Sequence, residues 1–248
     1  MADKKRKLKL YKALTERGLV ESEPKAKALI MAGKVVVNDQ RADKAGLLVT
    51  DKCQIRVKRD EKFVSRGGLK LESALDDFGL REDCNDIIAL DVGSSTGGFT
   101  DCLLQHGAKK VYALDVGSNQ LAWSLRNDPR VESMEQTDIR KVDGLIDEQI
   151  SIVVADISFN SLSFLLPHIM DAVPKAGVRF LLLVKPQFEL DASQIPDGGV
   201  VADDAARQVA LEKVISAVKE QGFDEVASKD CQLAGRTGNR EIFIYFSN

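Results

Sequence analysis

Apolar residues at the front of the chain recur at helical spacing. Between about residues 9 and 18, Leu10, Ala13 and Leu14 fall on one side of a helix, and between 24 and 32 Ala26, Leu29 and Ile30 do the same. Pro24 suits the first turn of the second helix, Ser22 and Glu23 are capping candidates, and Gly33 suits its end. After Gly33 the period becomes two. Residues 34–39 read as a strand running into a turn, and 47–49 and 54–57 as two more strand pieces. Two short helices and a small sheet predict an α+β module over residues 1–59, followed by a charged linker over 60–66.

The pattern over 67–248 is different. Leu69, Leu71, Ala74, Leu75 and Phe78 trace a helix ending near Gly79. Strand-like runs at 87–91, 111–115, 152–156 and 179–184 then alternate with helical runs near 100–106, 120–126 and 162–173. That alternation predicts an α/β domain with a mostly parallel, Rossmann-like sheet covered by helices on both faces. A long amphipathic helix over 203–221 and strands within 223–233 and 241–246 close the chain, the last two as an antiparallel hairpin at the sheet edge.

Composition refines this picture. The net charge of −3 hides a split: residues 1–60 hold 16 Lys and Arg against 8 Asp and Glu, and the rest hold 19 against 30. A basic module ahead of an acidic body predicts a nucleic-acid-binding unit joined to a catalytic domain. Lys25, Lys27 and Lys34 lie on or beside the second helix, where they could follow a phosphate backbone. Cys53, Cys84, Cys102 and Cys231 are scattered, with only two histidines beside them, and read as reduced thiols rather than metal ligands. The apolar runs, such as 180–184, fall far short of a membrane span, so a cytoplasmic protein without stable membrane association is expected.

The sharpest motif runs from Ile88 to Thr100, a buried strand that ends in a glycine-rich turn and opens a helix. It lacks the Gly-Lys-Ser/Thr of a phosphate-cradling loop and has Ser95 where a dinucleotide fingerprint has glycine. Asp91 would repel a pyrophosphate and suits the cationic amino-acid part of S-adenosylmethionine. The expected cofactor site is therefore Asp91 with Gly93, Ser94, Ser95, Thr96, Gly97, Gly98 and Phe99. Asp115, about twenty residues on, could accept from ribose hydroxyls, and Asp138 from an adenine amino group; either could instead cap a helix. Asp156 and Lys185 end predicted parallel strands and so face the same crevice, as catalytic groups or as a structural ion pair.

The segments Glu16-Arg17-Gly18-Leu19 and Ala32 to Asn38 resemble the alpha-L RNA-binding domain of some ribosomal proteins. Tyr11 stands where that domain commonly has Asp. Val64 to Leu71, Asp91 to Leu104, Gln120 to Trp123 and Leu183 to Glu189 together resemble the TlyA family of ribosomal RNA methyltransferases, some of whose members are labelled haemolysins. That family is similar to the FtsJ-type 2′-O-methyltransferases. The resemblance implies a class I methyltransferase that uses S-adenosylmethionine on a cytidine ribose 2′-hydroxyl of ribosomal RNA, free or in a ribosomal subunit. It implies a catalytic set of Lys70, Asp156, Lys185 and Glu241, with Arg66 among the RNA-binding residues. No metal is required.

Asp156-Ile157-Ser158-Phe159 departs from the Asn/Asp-Pro-Pro-aromatic turn frequent in enzymes that methylate exocyclic amines, which favours ribose over base. Phe159 could stack on a base or pack in the core. Glu61 to Val64 depart from an Arg-x-Trp-Val stretch found in some family members. The competing readings are a membrane-active haemolysin-like protein and a non-catalytic RNA-binding protein that keeps the fold.

Overall fold

The computed structural model describes residues 7–58, 62–142, 145–173 and 177–247. The chain divides into two compact units, Met1–Glu61 and Lys62–Asn248. Residues 59–61, where the first module was expected to give way to a linker, lie outside the described residues.

In the first unit, β1 (Lys7–Lys9) leads into α1 (Leu10–Glu16) and α2 (Glu23–Met31), followed by β2 (Val35–Val37), β3 (Gln40–Ala42), β4 (Leu48–Thr50) and β5 (Ile55–Val57). The inward positions of the helices, Leu10, Ala13, Leu14, Ala26 and Ile30, close on Val35, Ala42, Val49 and Ile55. β1 pairs antiparallel with β4, and β2 lies between β3 and β5. Residues 7–9 and 40–42 were not expected as strands, because Lys7-Leu8-Lys9 and Gln40-Arg41-Ala42 hold none of the β-branched or aromatic residues that mark the equally short β2, β4 and β5. Arg17 donates to the carbonyls of Cys53 (2.7 Å) and Thr50 (2.9 Å), tying the end of α1 to the β4–β5 turn.

The second unit opens with α3 (Arg66–Asp77) and β6 (Ile88–Val92), then α4 (Gly98–Gln105), β7 (Lys110–Leu114), α5 (Trp123–Arg126), β8 (Val131–Met134) and β9 (Ile152–Ala155). It continues with α6 (Leu162–Asp171), β10 (Arg179–Val184), α7 (Pro186–Glu189), α8 (Asp204–Glu220), β11 (Ala227–Asp230) and β12 (Ile242–Ser247). The sheet order is β11-β12-β10-β9-β6-β7-β8. β6 to β10 are mutually parallel along that order, and β12 runs antiparallel between β10 and β11. Both faces are covered, so the central strands are almost wholly apolar, with Asp91 of β6 as the buried exception. Phe180, Leu182 and Val184 of β10 join one core with α6 and α8, while Leu181 and Leu183 join the other with α3 and α4.

Three boundaries differ from expectation. The helix over 120–126 contracts to α5 because the amides of Gln120 and Leu121 are bound by Glu135 Oε1 (2.6 and 3.1 Å). The strand over 223–233 contracts to β11 because Phe223 turns into the core against Phe180 and Phe246. Residues 62–66 pack onto α4 rather than hanging free, with Phe63 buried and Val64 N donating to Asp101 Oδ2 at 2.8 Å. Glycine makes the close approach of α3 to α4 possible: a Cβ on Gly98 would sit 2.8 Å from Gly68 N, and one on Gly68 2.3 Å from the Phe63 ring.

Asp91 joins the central strand to α4. Its Oδ2 accepts from Thr100 N (2.9 Å) and Thr100 Oγ1 (2.6 Å), while its buried Oδ1 has no partner. Burial pushes this carboxyl up from about 3.8 to about 7. Between those values the folded chain holds a proton that the unfolded chain releases, so stability falls as pH rises through the window. Asp91→Asn keeps the acceptor for Thr100 and removes the titration. Melting curves from pH 4 to pH 7 should show the wild type losing stability relative to this variant; a constant difference would contradict the assignment.

Candidate active site

The carboxyl ends of β6, β7, β9 and β10 and the amino end of β12 lie on one edge of the sheet, around a cavity of about 760 Å³. Connections leave β6 toward β7 on one side and the chain returns to β9 on the other, the reversal at which α/β sheets open a ligand crevice. Register sets what enters it. Val184 pairs with Ile242 and Val92 with Ala155, so Lys185 and Glu241 emerge from neighbouring strands, as do Gly93 and Asp156.

Four charged side chains form two pairs there. Lys70, on the second turn of α3, donates to Glu241 Oε2, and both are buried, Lys70 at 8% and Glu241 at 3% exposure. Lys185 Nζ, also buried, donates to Ser158 Oγ at 2.7 Å and lies 2.6 Å from Asp156 Oδ1. The Asp156 contact is close but poorly directed, so Oδ1 is left without a hydrogen-bond donor. Buried charges persist in a fold only when compensated, and each lysine here has one carboxylate.

The glycine-rich turn forms the adjoining wall, with Gly93, Ser94, Ser95, Thr96, Gly98 and Phe99 lining the cavity. Gly93 has φ +81°, and a Cβ there would meet Asp156 O at 3.0 Å. Gly97, at φ +95°, turns away from the cavity against Leu121 and Leu125. Asp115 accepts from Ser95 N (2.8 Å) and Gly117 N (2.7 Å), leaving lone pairs on both oxygens for a ligand. Asp138 lines the cavity and also caps a short 3-10 turn, accepting from Arg140 N at 3.0 Å and from the Arg140 guanidinium. Those bonds hold its carboxyl down near 2. Ser94 Oγ is a buried, unpartnered polar atom of this wall, whereas Asp91, fully buried, does not line the cavity and sits behind the turn; the cavity has the volume of a cofactor site.

Several contributors carry no signal in the sequence. Ser158 is an ordinary serine until the fold sets it against Lys185. Glu189 ends the Lys185-Pro186-Gln187-Phe188-Glu189 run and is buried under α6, accepting from Leu162 N, Ser161 Oγ (2.7 Å) and Ser163 Oγ (2.9 Å). It thereby fixes the loop between Asp156 and α6. Asn239, buried, accepts from Val201 N (2.8 Å) and donates to Gly199 O (2.9 Å), anchoring the loop that precedes Glu241. Phe159 sits at the rim with φ +67°, a left-handed conformation that costs an aromatic residue about 1–3 kcal/mol. It is 88% exposed, which excludes the core-packing alternative, and its ring lies 5.7 Å from that of Phe188.

The expected RNA-binding residues fall in two places. Arg66 begins α3 at the cavity mouth. Lys25, Lys27 and Lys34 belong to the first unit: Lys25 pairs with Glu21, Lys27 Nζ lies 4.5 Å above the Tyr11 ring, and Lys34 leads into β2. Tyr11 therefore serves as a platform for Lys27, where the alpha-L domain commonly has an aspartate.

Residues 63–248 match the model of the FtsJ-like methyltransferases, and residues 8–54 that of the S4 domain. Hemolysin A of Brachyspira hyodysenteriae is 40% identical over 241 residues, 96% of this chain and 99% of that protein. The 16S/23S rRNA (cytidine-2′-O)-methyltransferase TlyA of Mycobacterium tuberculosis is 40% identical over 246 residues, 97% of this chain and 90% of its own. A solved protein from Streptococcus thermophilus, described as a hemolysin, superposes with a TM-score of 0.72 at 39% identity, covering 98% of this chain and 88% of that one. With two lysine–carboxylate pairs at the crevice, both lysines buried, and these near-full-length relatives, the chain belongs to the TlyA family, an S4 domain followed by an FtsJ-like methyltransferase domain.

Proposed function

We propose that the protein methylates the 2′-hydroxyl of a cytidine ribose in ribosomal RNA, with S-adenosylmethionine as donor. The observation that carries this reading is the convergence of Lys70, Glu241, Asp156 and Lys185 on one cavity, beside the glycine-rich turn. The cofactor, when bound, supplies an electrophilic methyl group. Backbone of the 93–99 turn would hold it, Asp115 would accept from its ribose hydroxyls, Asp138 would receive its adenine amino group, and Asp91 lies behind its cationic end.

A ribose hydroxyl is a weak nucleophile until its proton leaves. Lys185, held between Asp156 and Ser158, puts positive charge where the alkoxide develops, out of reach of screening water. In its neutral form it could also take the hydroxyl's proton. Lys70 and Glu241 align the ribose from the opposite wall, and exposed Phe159 offers its ring to the base. The basic first unit, matched by the S4 model, would supply affinity for the RNA phosphates. The TlyA relative's name supports both the cytidine and the ribose. Although another relative carries the name Hemolysin A, no helix among the described residues is long and apolar enough to cross a membrane.

Asp115→Ala should weaken S-adenosylmethionine binding by about tenfold, ~1.4 kcal/mol, in calorimetry. Unchanged affinity, or tighter binding of a nicotinamide dinucleotide, would remove the cofactor assignment. Lys185→Ala should lower the methylation rate by about a hundredfold or more while cofactor affinity persists. If Lys185 served only to compensate Asp156, its loss would appear instead as about 3–5 kcal/mol of stability. Rate and melting temperature are therefore measured on the same samples, and a variant that melts far lower yet methylates at the wild-type rate per folded molecule refutes catalysis by this lysine.

A further inference from the structure

The second unit must admit a polyanion although acidic residues outnumber basic ones, 30 against 19, beyond residue 60. Of the cations lining the cavity, three are compensated: Lys70 by Glu241, Lys185 by Asp156 and Arg140 by Asp138. The other two are Arg66 and Arg236. Among the described residues neither has a carboxylate partner; Arg66 Nη2 donates only to the backbone oxygen of Ala234 (2.8 Å), and both side chains are exposed. In a domain whose exposed arginines elsewhere are held by carboxylates, as Arg81, Arg126, Arg130 and Arg240 are, two uncompensated guanidiniums at one cavity mouth call for an anion.

Their placement says which anion. Arg66 and Lys70 are four residues apart on α3, hence on one face with Cβ atoms about 6 Å apart. Arg236 lies five residues before Glu241 on the loop between β11 and β12. Each of the two segments that bring Lys70 and Glu241 together thus also carries one arginine toward the mouth. The Arg66–Ala234 bond joins those segments beside Arg236.

We propose that Arg66 and Arg236 form a clamp for one phosphodiester of the RNA strand, the phosphate adjacent to the ribose that Lys70 and Glu241 align. Arginine suits this task because its planar fork donates two parallel hydrogen bonds to phosphate oxygens. The clamp rests on the proposed 2′-O-methylation, and it assigns Arg236 a role in substrate positioning: the phosphate sets how deep the target ribose enters the cavity.

The test uses the full-length protein and ribosomal RNA from cells that lack it. The double variant Arg66→Ala with Arg236→Ala should raise KM for RNA about tenfold with little change in kcat, and leave S-adenosylmethionine affinity unchanged. The slope of log RNA affinity against log salt should fall by about 0.7 to 1, as for one phosphate no longer neutralised, and Arg66→Lys with Arg236→Lys should restore most of that slope. An unchanged KM and salt slope in the alanine variant overturns the clamp. So does a lowered melting temperature with the slope intact, which would make the Arg66–Ala234 bond purely structural. Wild-type protein that transfers no methyl to this RNA would instead sink the underlying reading, while the salt slopes would still report on the phosphate site.

Discussion

A lysine at the end of a strand buried on both faces is tenable only beside an anion. Lys185 follows five unbroken apolar strand residues, Phe180 to Val184, and Asp156, one strand away, is the carboxylate that keeps it there. Lys70 and Glu241 meet the same requirement across 171 positions of sequence, joining the first helix of the domain to its last strand. The two pairs are at once a condition of folding and a supply of fixed charge. In the proposed reaction, charges fixed in this way would leave little reorganisation for the moment of reaction.

Much of the remaining architecture exists to bring these groups to one edge. β12 runs antiparallel to β10, so its first residues reach the edge where the parallel strands end. α8 is fastened to that hairpin by a ring of charges in which buried Arg207 and exposed Arg240 share Asp204 and Asp230. Glu189 performs the corresponding task beneath α6. Gly98 lets α3 approach α4 closely, and Gly68 makes room for the Phe63 ring, which together carry Lys70 over the cavity. These contacts are remote from the reacting atoms and act by positioning.

Period and composition made the two-unit plan legible, because alternating strands and helices, a basic front and an acidic body are each written over tens of residues. The glycine-rich turn and the strand-end positions of Asp156 and Lys185 were legible for the same reason, since strand ends can be located from apolar runs. Lys70 and Glu241 came only from family resemblance; nothing in their own neighbourhoods marks them. The roles of Ser158, Glu189 and Asn239 were invisible, because a polar residue acquires its role from partners far along the chain. The short strands β1 and β3 hold no β-branched or aromatic residue to mark them, and the helix near 120 lost its first turn to Glu135, a side-chain competition that propensity does not register.

The central claim is that the methyl group ends on a ribose oxygen, since only then do two lysines poised around a hydroxyl make chemical sense. It is tested most directly by the alkali sensitivity of the product. Ribosomal RNA labelled by the purified protein with tritiated S-adenosylmethionine is hydrolysed in alkali, which needs a free 2′-hydroxyl to cleave the following bond. The account predicts that the label survives in alkali-resistant dinucleotides; label released wholly in mononucleotides would place the methyl on a base and contradict it.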